Sequence, residues 1–185
     1  MKKLIALTLW AALAYAGPIL SIQPSTNTVG IGDHLTAAVN IAGVVDLYAQ
    51  QFDLSFDPSV LRALIVSPGA FLSGGVGFIP GLIDNTAGTI LFTADILSGA
   101  VPGISGDGIL ASIEFTALGA GTSSLTLSNV VLLDSNLADI PVGSVLGGAV
   151  SVAGTATPEP AFMVPVAFCL VLAAWRVRGR RVRLS

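Results

Sequence analysis

The hexapeptide Asp134-Ser135-Asn136-Leu137-Ala138-Asp139 sets three oxygen-bearing side chains, Asp134, Asn136 and Asp139, within one short segment. Calcium and other hard cations take such donors. The segment lacks the glycine and the closing glutamate of an EF-hand loop, and Asx-turns explain the same residue types without an ion. Structural calcium is thus the one cofactor that the residues offer. His34, the only histidine, directly follows the turn Gly32-Asp33. A serine or cysteine nucleophile needs a base beside it, and the chain has no Gly-x-Ser-x-Gly elbow to supply one. Glycoside hydrolysis needs two carboxylates across one cleft. Glu114 stands between Ile113 and Phe115 and is expected to point outward while they point inward, and no spacing pairs it with a particular aspartate. No catalytic residue is expected, and the chain reads as a non-enzyme.

The elements that must carry these residues show a period of two. Leu35, Ala37, Val39 and Ile41 fall on one face, as do Phe52, Leu54 and Phe56, then Ile109, Ala111, Ile113 and Phe115, then Leu125 and Leu127. Alternation of this kind marks half-buried strands. Further strands are expected around Ile19 to Gln23, Leu61 to Ser67, Thr89 to Asp95 and Ala149 to Val152. Turn chemistry separates them at Gly30-Ile31-Gly32-Asp33, Asp57-Pro58, Asp84-Asn85, Gly106-Asp107-Gly108 and Gly119-Ala120-Gly121. Pro68 to Gly81 and Ser98 to Gly108 read as longer loops. About eight or nine strands at this spacing predict an all-β, two-sheet sandwich.

The ends differ from this body. Lys2 and Lys3 precede an apolar stretch from Leu4 to Leu13 and the triplet Ala14-Tyr15-Ala16, the pattern of a signal helix over 1–16 cleaved after Ala16. The body is expected over 17–152, and the small residues of 153–157 form a linker. From 158 onward, Pro158-Glu159-Pro160 leads into an apolar run from Ala161 to Trp175, followed by Arg176, Arg178, Arg180, Arg181 and Arg183. This predicts a short C-terminal transmembrane helix with its end held in the cytoplasm, serving as a temporary stop or as a plain anchor.

Charge is lopsided within the body. Arg62 is its only basic residue, set against Asp33, Asp46, Asp53, Asp57, Asp84, Asp95, Asp107, Glu114, Asp134 and Asp139. Nucleic acid, which is bound through clustered Lys and Arg, is excluded as a partner. The only cysteine, Cys169, lies in the tail, so no disulfide supports the body. Aromatic supply for stacking on sugars is thin: Trp10 and Trp175 are terminal, Tyr48 is the only tyrosine of the body, and Phe71 and Phe78 sit in a Gly-rich loop.

Three segments together resemble a cohesin module: Val29 to Ala42 (VGIGDHLTAAVNIA), Gln50 to Ala63 (QQFDLSFDPSVLRA) and Ser105 to Phe115 (SGDGILASIEF). The resemblance implies a jelly-roll β-sandwich related to carbohydrate-binding modules. It also implies a non-catalytic role, docking a dockerin-like protein through the shape and polar complementarity of one sheet face. A carbohydrate-binding or structural role in an exopolysaccharide or biofilm matrix is the alternative. The tail is similar to the PEP-CTERM sorting signal, with Pro158, Glu159 and Pro160 as its motif. That similarity implies export from a Gram-negative bacterium by way of signal peptidase, transient anchoring in the inner membrane, processing by an exosortase, and a final place at the cell surface or in the matrix.

Overall fold

A computed structural model of the chain describes residues 17–72 and 77–154. The expected signal helix with Ala14 and Ala16, the tail with Pro158, Glu159 and Pro160, and the transmembrane helix lie outside the described residues. Within them the chain forms β1 (Ile19–Pro24), β2 (Thr28–Gly30), β3 (His34–Leu47), β4 (Ala49–Ser55), β5 (Leu61–Pro68), β6 (Leu82–Asp84), β7 (Thr89–Ile96), β8 (Ile104–Ala117), β9 (Gly121–Leu133), β10 (Ser144–Leu146) and β11 (Gly148–Ala153). One sheet has the order β10-β1-β3-β8-β5 and the other β2-β11-β9-β4-β7-β6. Pairing is antiparallel except for β1 with β10 and β2 with β11.

The all-β, two-sheet sandwich expected from the alternation is the architecture found. Eleven strands replace the expected eight or nine. The additional ones, β2, β6 and β10, have three residues each, too few for a period of two to show.

The alternating positions fill the space between the sheets. Leu35, Ala37, Val39 and Ile41 of β3 and Ala111, Ile113 and Phe115 of β8 meet Phe52 and Leu54 of β4 and Leu125 and Leu127 of β9, all buried. Each large side chain so buried contributes about 1.5–3 kcal/mol. Phe56 and Phe115 meet edge to face with ring centroids 5.4 Å apart.

Two expectations need correction. Ile109 does not join Ala111 and Ile113 in the core. It is 39% exposed, whereas Leu110 is buried, because the register against β3 shifts between Val39 and Asn40. A bulge adds one residue, and every side chain beyond it changes face. Gly106-Asp107-Gly108 is not a turn between strands. It lies inside β8, where Gly106 has φ 121° and the Asp107 carboxylate accepts the Gly43 N–H at 2.6 Å. The Asp57 and Asp84 turns are as expected. The Asp57 carboxylate accepts the Ser59 N–H and hydroxyl, and that of Asp84 accepts the Thr86 and Ala87 N–H groups.

Candidate functional site

The structure gives the singled-out polar residues local partners. Asp134 Oδ1 accepts the N–H groups of Asn136 at 2.8 Å and Ala138 at 2.9 Å, the bonding of an Asx-turn. Asp139 follows in a backbone bridge to Leu133. The neighbouring Ser135 is held by Asp46, whose Oδ2 accepts its hydroxyl at 2.7 Å while Oδ1 accepts the Gly103 N–H at 2.7 Å. The Ser135 hydroxyl, then the Gly103 amide, keep the Asp46 carboxyl below the usual carboxylate range. Among the described residues, no three His, Cys, Asp or Glu side chains gather in a metal-holding group.

On the other sheet, His34 Nδ1 lies 3.3 Å from the Thr116 hydroxyl. Glu114 is exposed, as the alternation predicted. Ser25, His34, Thr36 and Glu114 line a shallow polar concavity there. Tyr48 donates its hydroxyl to the Gly99 carbonyl, and Phe71 and Phe78 pack against the core, so none of the three forms an open stacking platform.

The outer face of the β9-β4-β7 sheet is of another kind. Register places Leu133, Ala49 and Ile96 in one cross-strand row and Val131, Gln51 and Ala94 in the next, with Ile79 bridged beside Ala94. Phe92, Ile96, Ile79 and Val131 are exposed, Phe92 by 53%. Ala49 of β4 lies between the larger side chains of β9 and β7, and Ala94 leaves a second gap between Phe92 and Ile96 on β7 itself. The resulting concavity measures about 220 Å³.

This apolar face was not visible in the sequence. Unbroken alternation from Ile90 would turn Phe92, Ala94 and Ile96 into the core, and from Leu127 it would do the same to Val131 and Leu133. Instead, both strands shift register: β7 between its partners Phe52 and Leu54, and β9 between Gln51 and Asp53. The shift exposes those apolar side chains and buries Thr93 and Asp95. Burial pushes the Asp95 carboxyl above the usual range.

A two-sheet sandwich that presents an apolar, concave sheet face has the architecture of an interaction module. The sequence matches the model of the cohesin domain over residues 20–152. The chain belongs to the cohesin family, whose domains are non-catalytic interaction modules.

Solved structures agree on the fold. The type II cohesin dyad from the adaptor ScaA scaffoldin of Acetivibrio cellulolyticus is similar with a TM-score of 0.63 and 20% identity, over 71% of this chain and 48% of that one. The chain therefore spans about half the length of the dyad. The non-cellulosomal cohesin of the hyperthermophilic archaeon Archaeoglobus fulgidus gives 0.60 and 18%, over 80% and 97% of the two chains. The sixth cohesin of scaffoldin B from Acetivibrio cellulolyticus, solved in complex with a mutant dockerin, gives 0.61 and 22%, over 74% and 99%. No curated protein matches this sequence.

Proposed function

We propose that this protein docks a dockerin-like module on the outer face of β9, β4 and β7. The observation that carries this reading is the apolar face of the exposed Phe92, Ile96 and Val131 and the half-buried Leu133, with the small Ala49 and Ala94 among them. Burying such a face against a partner is favourable in proportion to the apolar area covered, and well-packed aromatic and aliphatic anchors at an interface centre carry most of the binding energy. The cohesin of similar fold solved with a dockerin supports the choice of partner.

The setting we propose follows the termini: cleavage after Ala16 by signal peptidase, passage through the inner membrane of a Gram-negative bacterium, recognition of Pro158, Glu159 and Pro160 by an exosortase, and display at the surface or in the matrix. Calcium held by Asp134, Asn136 and Asp139 is a separate proposal. In titration calorimetry, heat together with a raised melting temperature supports ligation, and a flat titration removes it.

The docking experiment passes the full chain, in mild detergent, over immobilised dockerin modules and immobilised bacterial exopolysaccharide in parallel. Retention on a dockerin is the expected result. Retention on polysaccharide alone overturns the docking reading in favour of the matrix alternative, for which the polar concavity of Ser25, His34, Thr36 and Glu114 is the site to mutate.

A further inference from the structure

The docking face exists only because two strands break alternation at the same level of β4. Between the partners of Phe52 and Leu54, β7 carries one residue too many; between the partners of Gln51 and Asp53, β9 does the same. The residues at these breaks, Phe92 with φ 61° and Asn129 with φ 49°, are both left-handed without being glycine. That conformation is uncommon for a residue as bulky as Phe, and surrounding structure must hold it.

One side chain reaches both. Asp53 Oδ1 accepts the Phe92 N–H at 2.7 Å, and Asp53 Oδ2 accepts Asn129 Nδ2 at 2.6 Å. A carboxylate has no donor of its own and accepts at both oxygens, and bonds to it are stronger than those between neutral groups. We propose that Asp53 is the positioning residue of the docking face: bracketing both bulges, it fixes the register that turns Phe92, Ile96, Val131 and Leu133 outward. The geometry stands alone, but its meaning for binding rests on the docking reading.

Burial by itself favours the other register. With β7 slipped by one residue, Phe92, Ala94 and Ile96 would enter the core and Thr93 and Asp95 would reach water. The observed arrangement leaves the Gln50 amide, opposite Asp95, buried without a partner among the described residues. The bracket therefore works against the hydrophobic preference of its own strands. Burial of Asp95, which raises its carboxyl pKa, gives the register a spectroscopic marker.

The test uses NMR on the full chain with three variants. In the wild type, Phe52 and Thr93 show a cross-strand contact and the Phe92 amide is protected from exchange. Asp53→Ala is expected to speed exchange of that amide by roughly tenfold or more, to weaken the Phe52–Thr93 contact, and to move the Asp95 titration toward the ordinary carboxylate range. Asn129→Asp sets one carboxylate against another at Asp53, two acceptors of like charge that no side-chain flip can reconcile. The exchanged pair Asp53→Asn with Asn129→Asp restores acceptor to donor and is expected to recover all three signals. Where Asp53→Ala does not fold, the comparison of Asn129→Asp with the exchanged pair decides.

Unchanged register and protection in Asp53→Ala, or in Asn129→Asp, overturn the proposal. So does failure of the exchanged pair to recover what Asn129→Asp loses. Affinity for any dockerin retained by the wild type is expected to fall at least about tenfold in Asn129→Asp and to return in the exchanged pair. Absence of every dockerin interaction would sink the docking reading while the NMR result still judged the bracket.

Discussion

At the residue scale, the β9-β4-β7 sheet buries two polar groups at a cost. Asp95 and Gln50 are each only 3% exposed, on paired positions of β7 and β4. Among the described residues, both amide atoms of Gln50 lack partners, and Asp95 Oδ1 accepts only the N–H of its neighbour Ile96. Because burial raises the folded-state pKa of Asp95, its contribution to stability is fully present below the ordinary value near 3.8 and is lost as pH rises through the folded value. At neutral pH the site holds either a buried charge or a proton held against the solvent. Asp95→Asn removes that dependence and is expected to raise the melting temperature at pH 7 by a few degrees, about 1 kcal/mol. Melting curves at pH 4 and pH 7 check it: the gain must be larger at pH 7. The Asp134 loop shows the opposite case, a carboxylate whose acceptor capacity is used. Asp134→Ala leaves the exposed N–H groups of Asn136 and Ala138 to water and is expected to cost about 1 kcal/mol in chemical denaturation.

At the element scale, the two sheets are joined by more than their core. Asn85, in the turn after β6, accepts the Ala63 N–H at 2.8 Å and donates to the Ala63 carbonyl at 3.0 Å. A side-chain amide thus completes the pairing of edge strand β5, which belongs to the other sheet, and covers part of an exposed edge. Asn85→Ala should cost about 1–2 kcal/mol, and amide exchange at Ala63 should quicken with it. Loss of stability without faster exchange at Ala63 would refute this role. Asp84-Asn85 was legible as a turn from residue type alone, because short polar side chains favour such dihedrals. The reach of Asn85 to β5 was not, since it depends on how the sheets stack. The same division holds along the strands. Leu35 to Ile41 and Ala111 to Phe115 announced their buried face, whereas Ile109, Phe92 and Val131 lie beyond bulges. A bulge leaves hydrophobicity unchanged and reverses its meaning, so period alone assigned Ile109 to the wrong side and gave no sign of the face built by Phe92 and Val131.

At the scale of the whole molecule, the outer surfaces of the two sheets differ in kind. The β1-β3-β8 side shows Gln23, Thr36, Asn40, Ser112, Glu114 and Thr116 at outward positions, beside the exposed Ile19 and Ile109, and the polar groups are well solvated and gain little from a dry contact. The β9-β4-β7 side shows Ile96, Phe92 and Val131, whose exposure costs free energy until a partner covers them. Under the docking proposal the two faces have different uses, and charge placed on each distinguishes them. Ile96→Lys with Val131→Lys is expected to abolish dockerin retention. Glu114→Lys, on the opposite sheet, is expected to leave it unchanged. All three positions are exposed, so melting temperatures should stay close to wild type, within about 0.5 kcal/mol per substitution. A lysine on a docking face must be desolvated when the partner arrives, a penalty of several kcal/mol that contacts at the rim do not offset. If Glu114→Lys were the variant that lost its partner, the docking face would have to be moved to the polar sheet, and the apolar one would need a different occupant.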